Sequence, residues 1–128
     1  MLSRQNELYE SLNENNSLNK IQDYIKEIIK IRGFSEQRVQ DKMLLLLEET
    51  GELAKAIRKT LPEASIDYDK IENYTDIEEE IADVFIVLVS ICNRLNINLY
   101  DAMKKKEEKN IKRQWKVNKD EKMWKRMT

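Results

Sequence analysis

LLLLEETGELAKAIRK at residues 44–59 and IEEEIADVFIVL at residues 77–88 decide the fold of this 128-residue chain. Neither stretch contains a proline, and each sets acidic side chains among apolar ones at the three- and four-residue spacing of an α-helix. Upstream of the first stretch, Ser35 is a good N-cap with acidic Glu36 behind it, and downstream Pro62 stops the helix near Thr60. The run Met43–Leu47 is apolar on every side, which predicts a helix buried around much of its circumference. The second stretch opens on Thr75 with Glu78 three residues later, a capping-box pattern. Ile77, Ile81, Val84, Phe85, Leu88, Ile91, Cys92 and Leu95 then give a wide apolar face as far as about Leu95.

Two more helices flank this pair. Ile21, Tyr24, Ile25, Ile28 and Ile29 repeat at helical spacing over residues 18–31, and Arg32-Gly33 ends that segment. Asn98 can cap a last helix running to about Trp115. Two glycines and one proline are too few for the many turns of an all-β fold. The expected architecture is therefore all-α, a bundle of about four main helices completed by oligomerisation. A polar segment at 1–17, either a loose helix or disordered, precedes a helical domain at 18–116. A polar linker at 61–74 interrupts that domain, and a basic tail at 117–128 follows it.

Composition removes several chemistries. Without histidine there is no His-based zinc site, serine–histidine triad or Glu-x-x-His di-iron centre. Cys92 is the sole cysteine, which suits a reducing cytoplasm. MLSRQNELYE lacks the apolar core of a signal peptide, and the apolar run Val84–Cys92 is too short to span a bilayer. The expectation is a cytoplasmic protein with no membrane partner. Charge is unevenly spread: residues 104–128 hold 11 Lys/Arg and 4 Asp/Glu, while the other 103 residues hold 12 and 20. A basic segment on an acidic body can bind nucleic acid or fold back on an acidic site.

Glu48, Glu49 and Glu52 crowd five positions of the first stretch, and Glu80 and Asp83 stand three apart in the second. Glu49 shares a stripe with Leu46, Leu53 and Ala56; Glu80 and Asp83 share one with Val87 and Ile91. Carboxylates on faces that must be buried need a partner, because an unpaired buried charge costs several kcal/mol. Hard oxygen donors without His or Cys favour Mg²⁺, or Mn²⁺. The plainer alternative is a solvated acidic face, or internal pairs with Lys55, Arg58 and Lys59. Glu78 and Glu79 suit the helix dipole in the first turn and need no ligand. Gly51 inside the helix points either to a close approach or to a tolerated glycine. In the last helix, Lys106, Lys109, Asn110 and Arg113 continue a stripe begun by Leu99 and Ala102, which predicts an inward face that turns basic, as a phosphate wall requires. Phe34 is either a wall of a base pocket or core. Trp115 and Trp124 suit packing better than base stacking.

The two opening stretches, with KKKEEKNIKRQW at 104–115, resemble the MazG-like branch of the all-α nucleoside triphosphate pyrophosphohydrolases. The Glu-x-x-Glu…Glu-x-x-Asp signature falls on Glu49, Glu52, Glu80 and Asp83, and the Lys-Asn-x-x-Arg segment on Lys109, Asn110 and Arg113. The resemblance covers about residues 20–115. It implies Mg²⁺-dependent hydrolysis of a nucleoside triphosphate to the monophosphate and pyrophosphate, with those four acids as metal ligands. It also implies Glu48 or Glu49 as the base, and Lys109, Asn110 and Arg113 on the substrate, in a homodimer or homotetramer. The competing expectation is a helical nucleic-acid-binding or regulatory protein that uses residues 104–128 with a non-catalytic acid cluster. Intact acids at every signature position make nucleic acid the less favoured partner.

Overall fold

The computed structural model describes residues 2–61 and 76–113, and these form five α-helices with no strand among the described residues. They are α1 (Leu2–Ser11), α2 (Leu18–Ile31), α3 (Val39–Arg58), α4 (Ile77–Arg94) and α5 (Leu99–Lys112). The all-α class is as expected. One helix more is present, because part of the polar N-terminal segment forms α1 and packs on α2, where Arg32 Nε donates to Gln5 Oε1 at 3.2 Å.

The ends of α2 are those expected. Ser17 accepts a hydrogen bond from Lys20 N, satisfying a backbone donor that the first turn leaves open. At the other end Gly33 adopts φ 84°, Phe34 N–H donates to Ile29 O at 2.9 Å and Gly33 N–H to Lys30 O at 3.1 Å. This is a Schellman end, and only glycine takes that φ freely. The closure of α2 delays α3. Ser35 lies in the intervening turn, where Gln37 N–H donates to Phe34 O, and the N-cap is Arg38. Ser35 is therefore not the cap. Arg38 pairs instead with Asp41 in the first turn of α3.

The N-cap of α4 is Asp76, not Thr75; Thr75 and the 61–74 linker from residue 62 onward lie outside the described residues. α4 closes with a second Schellman end, now with Asn96 at φ 54°, Ile97 N–H donating to Cys92 O and Asn96 N–H to Asn93 O. Asparagine is among the few non-glycine residues that tolerate this region. Asn98 caps α5 by accepting from Asp101 N, as expected, but α5 ends at Lys112. Trp115, Trp124 and the 117–128 tail lie outside the described residues.

Packing centres on α3 against α4, with α2 laid across α4 and α5 on α2. The core comprises Ile25, Ile28, Ala56, Val87, Val89, Ile91 and Cys92. A buried amide fastens its corner: Gln22 Nε2 donates to Asn93 Oδ1 and Ile97 O, and its Oε1 accepts from Leu99 N. Both N–H groups and the oxygen of this amide are engaged, so burying it is tolerable, and it ties α2 to the α4–α5 corner. The expected burial of α3 around much of its circumference is not found within one chain: Met43, Leu44 and Leu47 are exposed, as are Ile81 and Leu88 on α4 and Leu95 at its C-cap.

Candidate metal centre

α3 and α4 run antiparallel in a fixed register. Lys42 Nζ donates to Ser90 Oγ at 2.7 Å. Two turns away, carboxylate oxygens of Glu49, Glu80 and Asp83 all lie within 4.8 Å of one another. Lys42 and Glu49 stand seven residues apart on α3, and Asp83 and Ser90 seven apart on α4. Positions seven apart share one helix face, so one seam carries both contacts, about 10 Å from each other along the axis.

Glu80 is buried at 4% exposure, and its Oε2 is shielded from solvent. Glu49 is half-buried and Asp83 exposed. Burial first, and then the charges of Asp83, Glu80, Glu48 and Glu52, raise the Glu49 pKa above the ordinary carboxylate value. Burial first, and then Glu80, raise that of Asp83. Both shifts have the sign of a site short of positive charge. The donor set fits a hard cation: oxygens on one Mg²⁺ lie at most about 4.2 Å apart, twice the usual bond length. A spread of 4.8 Å is thus a small side-chain adjustment from closure.

Among the other expected site residues, Glu48 and Glu52 are exposed on α3, outside the three-carboxylate group but near enough for their charges to act on Glu49. Glu78 and Glu79 occupy the exposed first turn of α4, where the helix dipole accounts for them. Gly51 has nothing within 4 Å of where a Cβ would stand, so no group among the described residues approaches it. Cys92 is buried, and burial raises its thiol pKa, the mark of an inert core cysteine.

The α5 stripe does not turn inward within a single chain. Leu99 is half-buried, but Ala102, Lys106, Lys109 and Arg113 are exposed, and only Asn110 is partly covered. The cause is tertiary: α5 packs chiefly on α2, not on the acid-bearing pair.

Lys42 and Ser90 were missed in the sequence. Lys42 is 3% exposed, and no carboxylate among the described residues pairs with it. Its Nζ donates to Phe34 O at 3.2 Å as well as to Ser90. Burial, and then Arg94, hold its pKa below that of an ordinary lysine. A signal did exist: Lys42 lies one heptad before Glu49, on the same face. Two cavities share Ile29, Lys42 and Ser90 in their walls. One, of about 190 Å³, is polar, with Lys26, Asn93 and Arg94. The other, of about 170 Å³, is mostly apolar, with Phe34, Leu45, Ile86 and Val87, and has Arg32 and Gln37 in its wall as well.

A family model described as the MazG nucleotide pyrophosphohydrolase domain matches residues 37–118, well over half of the chain. The uncharacterized protein YvdC of Bacillus subtilis (strain 168) is 30% identical over 95 residues, covering 70% of this chain and 89% of that protein. No solved structure gives a significant match.

Proposed function

This chain belongs to the MazG nucleotide pyrophosphohydrolase family, and from that premise we propose that it hydrolyses a nucleoside triphosphate at the α-phosphorus to the monophosphate and pyrophosphate. The family points to a nucleotide pyrophosphohydrolase in general; the three-carboxylate group in the α3–α4 seam is the observation that supports this particular chemistry.

In the proposed reaction Glu49, Glu80 and Asp83 hold Mg²⁺, and Glu52 joins them from one turn further along α3. Mn²⁺ suits the same donors. When bound, the ion supplies neutralisation of phosphate oxygens and acidification of water. Water attacks the α-phosphorus, the bond to the bridging oxygen of the β-phosphate breaks, and pyrophosphate leaves. The proton lost by the water passes to Glu48 or Glu49. Glu49 belongs to the ligand group, which favours Glu48, the exposed neighbour, for this role. Lys109, Asn110 and Arg113 are proposed to contact the substrate in the assembled oligomer, since within one chain their stripe does not face the acids, with the two cations neutralising the polyphosphate as its charge redistributes.

The protein is proposed to act as a homodimer or homotetramer in the cytoplasm. The exposed apolar side chains Leu44, Leu47, Ile81, Leu88 and Leu95 support self-association, as large apolar patches are uncommon on monomers. Among the described residues no helix is long and apolar enough to cross a membrane.

The test is a panel of NTPs and dNTPs incubated with Mg²⁺, with products identified. Pyrophosphate with the monophosphate is expected. Orthophosphate would make the enzyme a different phosphohydrolase. No turnover, together with tight salt-sensitive RNA binding, would sink the proposal in favour of a nucleic-acid-binding protein.

A further inference from the structure

The buried lysine and the acids belong to one seam. Lys42 and Ser90 lie two turns from Glu49 and Asp83, on the same faces of the same two helices. The largely apolar cavity at Lys42 and Ser90 reaches one turn toward the acids, to Leu45 and Val87, and its other walls are Ile29, Arg32, Phe34, Gln37 and Ile86. At about 170 Å³ it is smaller than the roughly 300–1,000 Å³ of sites that enclose a whole small ligand, so it suits a flat ring and not a complete nucleotide. Phe34 is 46% exposed, leaving an aromatic surface beside the opening.

The polar end of this cavity offers hydrogen-bond donors. Lys42 has three N–H groups, and two are committed, to Ser90 Oγ and Phe34 O. Ser90 Oγ accepts from Lys42 and keeps its O–H to donate, along with a second lone pair. The cavity's other polar lining residues are Arg32 and Gln37, and no carboxylate is among them; Lys42 can only donate, so at its position a carbonyl oxygen is matched and an amino group is opposed.

We infer that the base of the substrate enters the cavity behind Phe34, and that Lys42 and Ser90 select a base whose far edge carries a carbonyl oxygen over one that carries an amino group there. This rests on the proposed nucleotide chemistry: an α-phosphate at the acids leaves the sugar and base to extend along the seam toward Lys42. The favoured substrates are keto-base nucleotides, with uracil, thymine, hypoxanthine or guanine. Adenine and cytosine nucleotides leave a buried donor facing a donor.

Two substrate pairs differ at that edge alone, UTP against CTP and ITP against ATP. The wild type is expected to show a kcat/KM at least about tenfold higher for the keto member of each pair, since a site built to hydrogen-bond a group rejects the analogue lacking it. The monophosphates, titrated by calorimetry in EDTA, give a readout independent of turnover: UMP is expected to bind about tenfold or more tightly than CMP. Lys42→Met keeps length and burial without donors and should bring UMP down to the level of CMP; Ser90→Ala should narrow the ratio part-way. Equal binding of UMP and CMP by the wild type would overturn the proposal. So would a Lys42→Met protein that keeps the wild-type ratio, which would make Lys42 a cap for the end of α2 and nothing more. Where Lys42→Met does not fold, Ser90→Ala and the wild-type ratios decide. A wild type that releases no pyrophosphate from any triphosphate defeats the proposed reaction, yet the UMP/CMP ratio still decides this one.

Discussion

Replacing Glu49 by Gln should make the metal-free protein more stable and abolish its stabilisation by Mg²⁺. Glu49 has carboxylate oxygens of Glu80 and Asp83 within 4.8 Å. At that separation two unit charges repel by about 0.9 kcal/mol in water and by about 3.5 kcal/mol at an effective dielectric of ~20. Asp83 is exposed and Glu49 only half-buried, so solvent screening pulls the total toward the lower end. A gain of about 1–3 kcal/mol is expected near neutral pH, or a rise in Tm of roughly 4–11 °C for a domain of this size. The pH dependence follows from the raised pKa of Glu49. With a folded-state pKa above the unfolded one, the wild type is free of the penalty below the unfolded value of about 4.3, and bears it in full once pH has passed the folded value. Wild type and variant should therefore converge in acid and separate toward neutrality. Magnesium reverses the order. A ligand at a hundred times its Kd stabilises by about 2.7 kcal/mol, and the variant, lacking one ligand, should gain much less. Thermal melts of both proteins from about pH 4 to pH 8, in EDTA and in Mg²⁺, measure all of this. A Glu49→Gln protein that melts lower than the wild type in EDTA at neutral pH, with an undiminished Mg²⁺ shift, would falsify the assignment of this group as a charge-starved cation site.

Other outcomes follow from single features. Glu52→Gln should lose Mg²⁺-dependent pyrophosphate release while keeping its helical circular dichroism; unchanged turnover would remove Glu52 from the site. Gly51→Ala should stabilise by up to about 1 kcal/mol, because the Cβ meets nothing within 4 Å and alanine is the better helix former. A loss of turnover in that variant would show that substrate approaches the backbone there. Gln22→Leu strands Leu99 N–H, Asn93 Oδ1 and Ile97 O, and should cost about 2–4 kcal/mol in denaturant melts; a variant as stable as the wild type would mean that the corner is held by packing alone.

Local chemistry was legible in the sequence. The bounds of α2 follow from a helical repeat and a serine and a glycine at its ends, and the acids that meet in the seam stand out by spacing. What was not legible depended on contacts between distant segments. Ser35 has the chemistry of an N-cap, but the Schellman closure of α2 uses the residues just before it and pushes the start of α3 beyond it. Lys42 looks like the polar start of an apolar run until α4 brings Ser90 to it from 48 positions away. The basic stripe of α5 is correct as a pattern. Its direction depends on which helix α5 rests against, and Gln22, buried from another helix, takes part in that choice.

The shared seam of α3 and α4 has a consequence for how such a protein can diversify. Its two ends are graduations on one ruler, with the three-carboxylate group at one mark and the Lys42–Ser90 contact at the other. Sliding the helices past each other would spoil both marks together, so the spacing is locked. Editing side chains at the Lys42 mark leaves the acid mark where it was. On the proposed reading, one or two substitutions at that mark change the nucleotide a descendant takes and leave the bond it cuts the same.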